Sequence, residues 1–337
     1  VPAGMPIYFM ALDAQGRAVQ RMRSFTHLMP GEVQGCVGCH EHRLQAARTF
    51  ASVRSVGYEQ RRPIAAAVML KHHLQRAEPR QLEPPEWGVT GFDYTRIVQP
   101  VLDRHCVQCH NAVTPPKGLD LTGGKTDFFS VSYDMLAREK QGGRGSPYVN
   151  WIPTYNGQEW NILEVRPKTW GSPCSKLAEV VLSGHPDKEG KPRFSMDEAS
   201  RRRILAWIDL NVPYYGSSET AHPERIGCCQ IVPDGLEKTL ADVAVRRCAS
   251  CHASGKIPRH EWVRITEPEL NPFLVAPLAK SCGGSEKCGK AVFPDKSDPD
   301  YQKILGTFAP VTALLKARPR MDMPGGKPAP DVCRACQ

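Results

Sequence analysis

The sequence predicts a mainly α, loop-rich protein made of tandem small units, with a short β-hairpin at its N-terminus. Three observations carry that expectation. The pattern C-x-x-C-H occurs three times, at 36–40, 106–110 and 248–252. The second and third copies each follow a helix-like stretch and precede, beyond a loop-rich excursion, another one. The 30 Pro and 28 Gly among 337 residues favour turns and long connections over long regular elements. A prior of about 150 residues per domain allows two or three units.

The elements follow in order. Residues 1–35 hold two apolar runs around a Gly-containing turn at 13–16 and read as a β-hairpin, the remnant of an upstream domain. The chain opens VPAGMPIYF, with no initiator Met and no basic leader, and reads as a processed chain or the downstream part of a longer one. Residues 36–85 make a first motif segment, with a helix expected over 64–76 and a Pro-rich linker over 78–87. A second unit spans 86–217. In it a helix over 92–109, broken at Pro100, delivers the second motif, and helices at 175–183 and 195–210 follow. The last of these is expected to take Ser195 as N-cap and to bury Ile204, Leu205, Trp207 and Ile208. A third unit spans 218–337, with helices over 236–251 and 298–316, the latter capped by Asp298 with Pro299 at its first position.

The repeated motif carries the chemistry. Two thiols two residues apart on one helical turn can reach the two vinyl groups of a haem and form thioethers, while the next His projects its imidazole at the iron. The attachment cysteines are then Cys36 and Cys39, Cys106 and Cys109, and Cys248 and Cys251. The proximal ligands are His40, His110 and His252. Zinc also uses C-x2-C pairs but needs four ligands, usually from a second pair at shorter range. Here Cys36 and Cys106 are 70 positions apart and each pair carries its own His, so three haem c groups are expected rather than zinc or redox disulfides. The second and third units repeat one plan of helix, motif, loops and helix and are expected to be cytochrome c-like, while the first is incomplete. Haem attachment to this motif takes place outside the bacterial cytoplasm, which implies a periplasmic or extracellular protein.

The remaining features are weighed against that frame. Lys plus Arg exceeds Asp plus Glu by 44 to 35, a formal charge of +9. The cations are scattered, with Arg201-Arg202-Arg203 the densest run, and haem carboxylates would offset them, so nucleic acid is not an expected partner. No apolar run approaches the roughly 18–20 residues of a membrane helix, so no transmembrane segment is expected. Aromatic residues are only 7%, which implies a core thin in rings. Seven further cysteines (Cys174, Cys228, Cys229, Cys282, Cys288, Cys333 and Cys336) read first as structural disulfides with one thiol left over. The last pair lacks a proximal His, since Gln337 stands in its place.

Distal ligands are candidates only. For the second haem the choice is His185, in the run LSGHPD, with Met196 as its competitor. For the third it is Met323, in RMDMPGG, with Met321 or His260 as alternatives. For the first, His27, His72 and His73 compete with an open iron or a ligand from a neighbouring domain, while His42 is too close to His40 to reach the other face of the same ring. His105, Arg104, Arg246 and Arg247 adjoin their motifs and are either haem-propionate partners or solvated groups.

Several segments together resemble a known group: MRSFTHLMPGEVQGCVGCHE, GFDYTRIVQPVLDRHCVQCHN followed by KGLDLTG, RRRILAWIDLNVPYYG, and the late run from ITEPEL to DMPG. They look like the C-terminal multihaem region of planctomycete proteins related to the hydrazine synthase alpha subunit. The resemblance implies an upstream β-rich propeller domain and a bis-histidine second haem, His110 with His185. In that group the first motif's haem is the active site, with a Tyr shortly after the motif as an iron ligand. This chain departs there, because Glu41-His42-Arg43-Leu44-Gln45 follows and the next Tyr is Tyr58. Fold and haem binding therefore carry over, and the reaction does not.

Two functions remain in view. One is a triheme cytochrome passing electrons between redox partner proteins, among them other subunits or copies in an assembly. The other is a haem redox enzyme, hydrazine synthase-like or peroxidase-like, with the first haem as an open site.

Overall fold

The computed structural model describes residues 3–22, 25–32, 85–88, 90–137, 167–252 and 262–330. The first motif, the helix expected over 64–76, His42, His72, His73, His260, Cys333 and Cys336 lie outside the described residues. The chain divides into two compact units, 1–89 with 155–174, and 90–154 with 175–337.

In the smaller unit, β1 (Met10–Leu12) pairs antiparallel with β2 (Ala18–Arg21), with a register irregularity between Ala11 and Leu12. The turn forms because the Asp13 carboxylate accepts from the backbone N–H of Gln15 and Arg17 and from the Arg17 guanidinium. Gly16 supplies the left-handed residue, at φ +80°. Ala18 and Trp170 are buried together with Met10 against them, and the Arg21 guanidinium lies 4.6 Å from the Trp170 ring centroid. The described residues 167–174, expected within the second unit, group with the hairpin instead.

The larger unit is helical. The helix expected over 92–109 forms in two pieces, α1 (Tyr94–Ile97) and α2 (Gln99–His105), with Pro100 in the first turn of α2. Asp93 caps α1 through the N–H groups of Thr95 and Arg96. Next come α3 (Val131–Ala137) and α4 (Lys176–Ser183), the latter capped by Ser175. In α5 (Glu198–Asp209) the N-cap is Asp197, not Ser195, and its carboxylate accepts from the Ser200 N–H. The expected 236–251 helix is α-helical only over α6 (Leu236–Val243) and then widens to a π-helical turn, Ala244–Cys248. A short α7 (Pro272–Val275) follows. The expected 298–316 helix is two, α8 (Pro299–Gly306) and α9 (Ala309–Ala317), broken just before Pro310. Asp298 caps α8 as expected.

The core is richer in rings than the 7% aromatic content implies. Buried rings gather in two clusters, one around Tyr94 and one of Phe273, Phe293, Tyr301 and Phe308. Tyr94 contacts Tyr133, Trp207 and Tyr214 at centroid distances of 5.2, 5.0 and 5.5 Å. Around them α2 and α4 both pack on α5, burying Val101, Leu102, Leu177, Val181, Ile204, Leu205 and Ile208. A second cluster joins α6 to α8 through Leu236, Leu240, Val243, Tyr301 and Ile304. In each half the helix that leads into a motif therefore packs on a later helix of that half.

The two halves share one polar seam. Arg264 pairs with Asp120 at 2.7 Å, both buried. Arg320 donates to the Thr126 and Phe129 carbonyls and to Asp322, and Tyr214 donates to Asp322 at 2.6 Å. Segments expected as separate units 86–217 and 218–337 thus contribute to a single compact body.

Candidate functional site

The second motif closes the end of α2. The N–H groups of Cys109 and His110 both bond to the Cys106 carbonyl, at 3.1 and 2.9 Å. One turn therefore carries both thiols and the imidazole. Burial first, then the neighbouring Cys109, push the Cys106 thiol up to about 11, so its sulfur is neutral against the apolar core. The His110 ring is oriented by its Nδ1, 2.9 Å from the Leu119 carbonyl. With the proton on that nitrogen, Nε2 keeps its lone pair free for a metal.

The opposite wall is the end of α4. Gly184 ends the helix at φ +72°, and His185 follows at φ +52°, its N–H bonded to the Val180 carbonyl at 3.0 Å. This left-handed pair swings the His185 ring toward His110. The two ring centroids lie 6.4 Å apart with planes 27° from parallel. Two imidazoles on opposite sides of one metal, each about 2 Å from it, place their nitrogens about 4 Å and their centroids roughly 6 Å apart. The observed spacing fits that arrangement. His185 is held neutral, below its ordinary value, by burial first and then by the Arg193 guanidinium and His110. A neutral ring is the form that ligates. Val107, Leu119, Leu182 and Met196 are half-buried against the main core. Met196, the competing ligand, thus packs with the core while His185 faces His110.

A Cβ at position 184 would lie 2.6 Å from the Phe194 carbonyl and 2.9 Å from the Pro192 side chain. Gly184→Ala is expected to destabilise the protein by about 1–3 kcal/mol, since it adds that overlap to an unfavourable φ. A urea midpoint unchanged from the parent would contradict the geometry.

The third motif repeats the turn. The Cys251 and His252 N–H groups bond to the Cys248 carbonyl at 3.0 and 2.8 Å. Its arginines are already engaged. Arg246 pairs with Asp300, and Arg247 with Asp298 and Asp300, each at 3.1 Å. They clamp the π-helical turn to α8. Met323 is half-buried against Ile231, Ile265, Val311 and Leu315, whereas the helix leading to this motif belongs to the α6–α8 cluster. Cys288, expected in a structural disulfide, instead lies as a free thiol near Cys248 and Cys251 and is raised by burial first and then by Cys251.

Near the second motif, Arg104 and His105 both face Asp197, each at 3.8 Å. The nine described cysteines are free thiols, so among the described residues none of the expected disulfides forms. Cys174, for one, donates to the Lys168 carbonyl at 2.7 Å. No three His, Cys, Asp or Glu converge as a metal cage among the described residues. No helix among them is long and apolar enough to cross a membrane. Sequence reasoning missed Leu119 and Arg193, because a carbonyl and a loop cation carry no pattern of their own.

Comparison with known proteins gives a consistent relation. Residues 1–41 match the model for the hydrazine synthase alpha subunit middle domain, a span that contains the hairpin. Over 253 residues the chain is 24% identical to hydrazine synthase subunit alpha of Kuenenia stuttgartiensis, covering 62% of this chain. The matched stretch spans 30% of that relative's own length. No solved structure matches. On these two matches, the chain is related to the hydrazine synthase alpha subunit.

Proposed function

We propose that this chain is a triheme c-type cytochrome acting outside the cytoplasm and transferring electrons between redox partner proteins. The observation that carries the reading is the His110–His185 pair, 6.4 Å apart, with one ring on the turn that bears two thiols. Cys106 and Cys109 would hold the second haem, with His110 and His185 as axial ligands. Cys248, Cys251 and His252 would hold the third, with Met323 the candidate sixth ligand. Cys36, Cys39 and His40 would hold the first. Bound there, haem would supply a one-electron couple, with His110 and His185 the residues that would hold its iron.

The chain's own part is orientation and exclusion of water. The Leu119 carbonyl fixes the His110 tautomer. Gly184 and the Val180 carbonyl aim His185. The aromatic core behind Cys106 keeps water from the inner side.

A second reading is a haem redox enzyme with the first haem as an open site, favoured by the similarity to a subunit named for hydrazine synthase. The word subunit in that name also supports an assembly with other chains.

The test is intact mass together with spectroscopy on the native protein. Three covalent haems are expected, falling to two in the Cys106→Ser/Cys109→Ser variant. A wholly low-spin spectrum supports electron transfer. A high-spin signal that binds carbon monoxide supports the enzyme. Bare polypeptide mass overturns both.

A further inference from the structure

We infer that Arg193 is the anion partner of the second haem, the cation that pairs with a haem propionate once an iron takes the nearby ring nitrogen of His185. This rests on the haem reading above and deepens it. The arginines beside the two described motifs differ in one respect. Arg104 faces Asp197, Arg246 pairs with Asp300, and Arg247 pairs with Asp298 and Asp300. Arg193 makes no ion pair among the described residues. Its Nη1 instead lies 3.3 Å from Nε2 of His185.

That contact is chemically specific. A guanidinium stays protonated and only donates, so it meets the imidazole lone pair, the same lone pair that a metal would use. The backbone sets the position. The Arg193 N–H bonds to the Gly184 carbonyl at 2.9 Å, so the loop closes on the residue that aims His185. When the lone pair passes to a metal, the guanidinium must leave. A c-type haem brings two carboxylates, and the planar fork of an arginine matches a carboxylate with two parallel hydrogen bonds. The exchange moves no proton and no electron: one donor contact is given up and a charge-assisted one replaces it.

The experiment is a redox titration of the holoprotein, following the low-spin bis-histidine signal by electron paramagnetic resonance. A positive charge beside the haem favours its reduced form. Arg193→Gln is therefore expected to raise the oxidised-to-reduced ratio of that haem at fixed poise by about three- to fivefold, the scale of a solvent-exposed ion pair. Arg193→Lys keeps the charge and should recover most of the shift. Arg202→Gln, on the exposed face of α5, controls for net charge and should leave the ratio unchanged. If haem is attached and low-spin but Arg193→Gln behaves like Arg202→Gln, the inference on Arg193 fails while the haem reading stands. If no haem is attached to Cys106 and Cys109, the haem reading fails and takes the inference with it.

Discussion

Replacing Asp322 by Ala is expected to remove about 3–5 kcal/mol of stability, the range for breaking a buried ion pair by deleting one partner. The Asp322 side chain is 1% exposed and the Arg320 side chain 2%. Asp322 accepts from the Arg320 Nε at 2.9 Å, from its Nη2 at 2.8 Å and from the Tyr214 hydroxyl at 2.6 Å. Lys125 adds a charge at 3.7 Å. Without the carboxylate, a guanidinium stays buried with only the Thr126 and Phe129 carbonyls, and the seam between the two halves loses its anchor. Urea denaturation reads the loss, and a midpoint within error of the parent would refute it. The same residue sets an acid limb. Burial alone would raise the Asp322 carboxyl, but Arg320, Lys125 and Tyr214 outweigh it and hold it below the ordinary range. Its folded value thus lies below an unfolded one of about 3.9, so its contribution is complete well above that pH and is lost as pH falls below it. Asp322→Asn is expected to flatten the acid side of the stability profile.

If the proposed second haem is held by His110 and His185, replacing His185 by Ala is expected to convert it from low-spin to high-spin and to open it to carbon monoxide. His110 stays oriented by the Leu119 carbonyl, so the proximal side keeps its geometry. Only the opposing ring disappears. His185→Met should keep the iron low-spin and raise its potential, because thioether ligation stabilises the reduced state. Optical and paramagnetic spectra of the purified variants check this. If His185→Ala leaves every low-spin signal in place, the distal ligand is another residue.

Much of the site was legible because covalent and helical spacing are local properties. Cys106, Cys109 and His110 share one turn whatever surrounds them, and the third motif repeats that turn with the same two backbone bonds. Gly184 before His185 marked a helix end, and the helix does end there in a left-handed residue. Caps that depend on one residue were less secure. Asp298 caps α8 as its place before Pro299 implies, whereas Asp197 rather than Ser195 caps α5. Either side chain can accept from a helix N–H, and packing chooses between them.

What the sequence by itself determined is the set of motifs and the order of the helices around the second and third, with His185 as a candidate opposite His110. Each follows from period, turn chemistry and spacing, which act over a few residues. The tertiary structure alone decided the rest. It gathered a few rings into one core around Tyr94, turned Arg246 and Arg247 onto Asp298 and Asp300, and placed Arg193 against His185. It also joined the two larger halves through Arg264–Asp120 and Arg320–Asp322. Residues that meet across 144 positions, as Arg264 and Asp120 do, leave no periodic trace in either segment. Only the folded chain brings their charges together out of water, and there an unpaired charge is costly enough to select the partner.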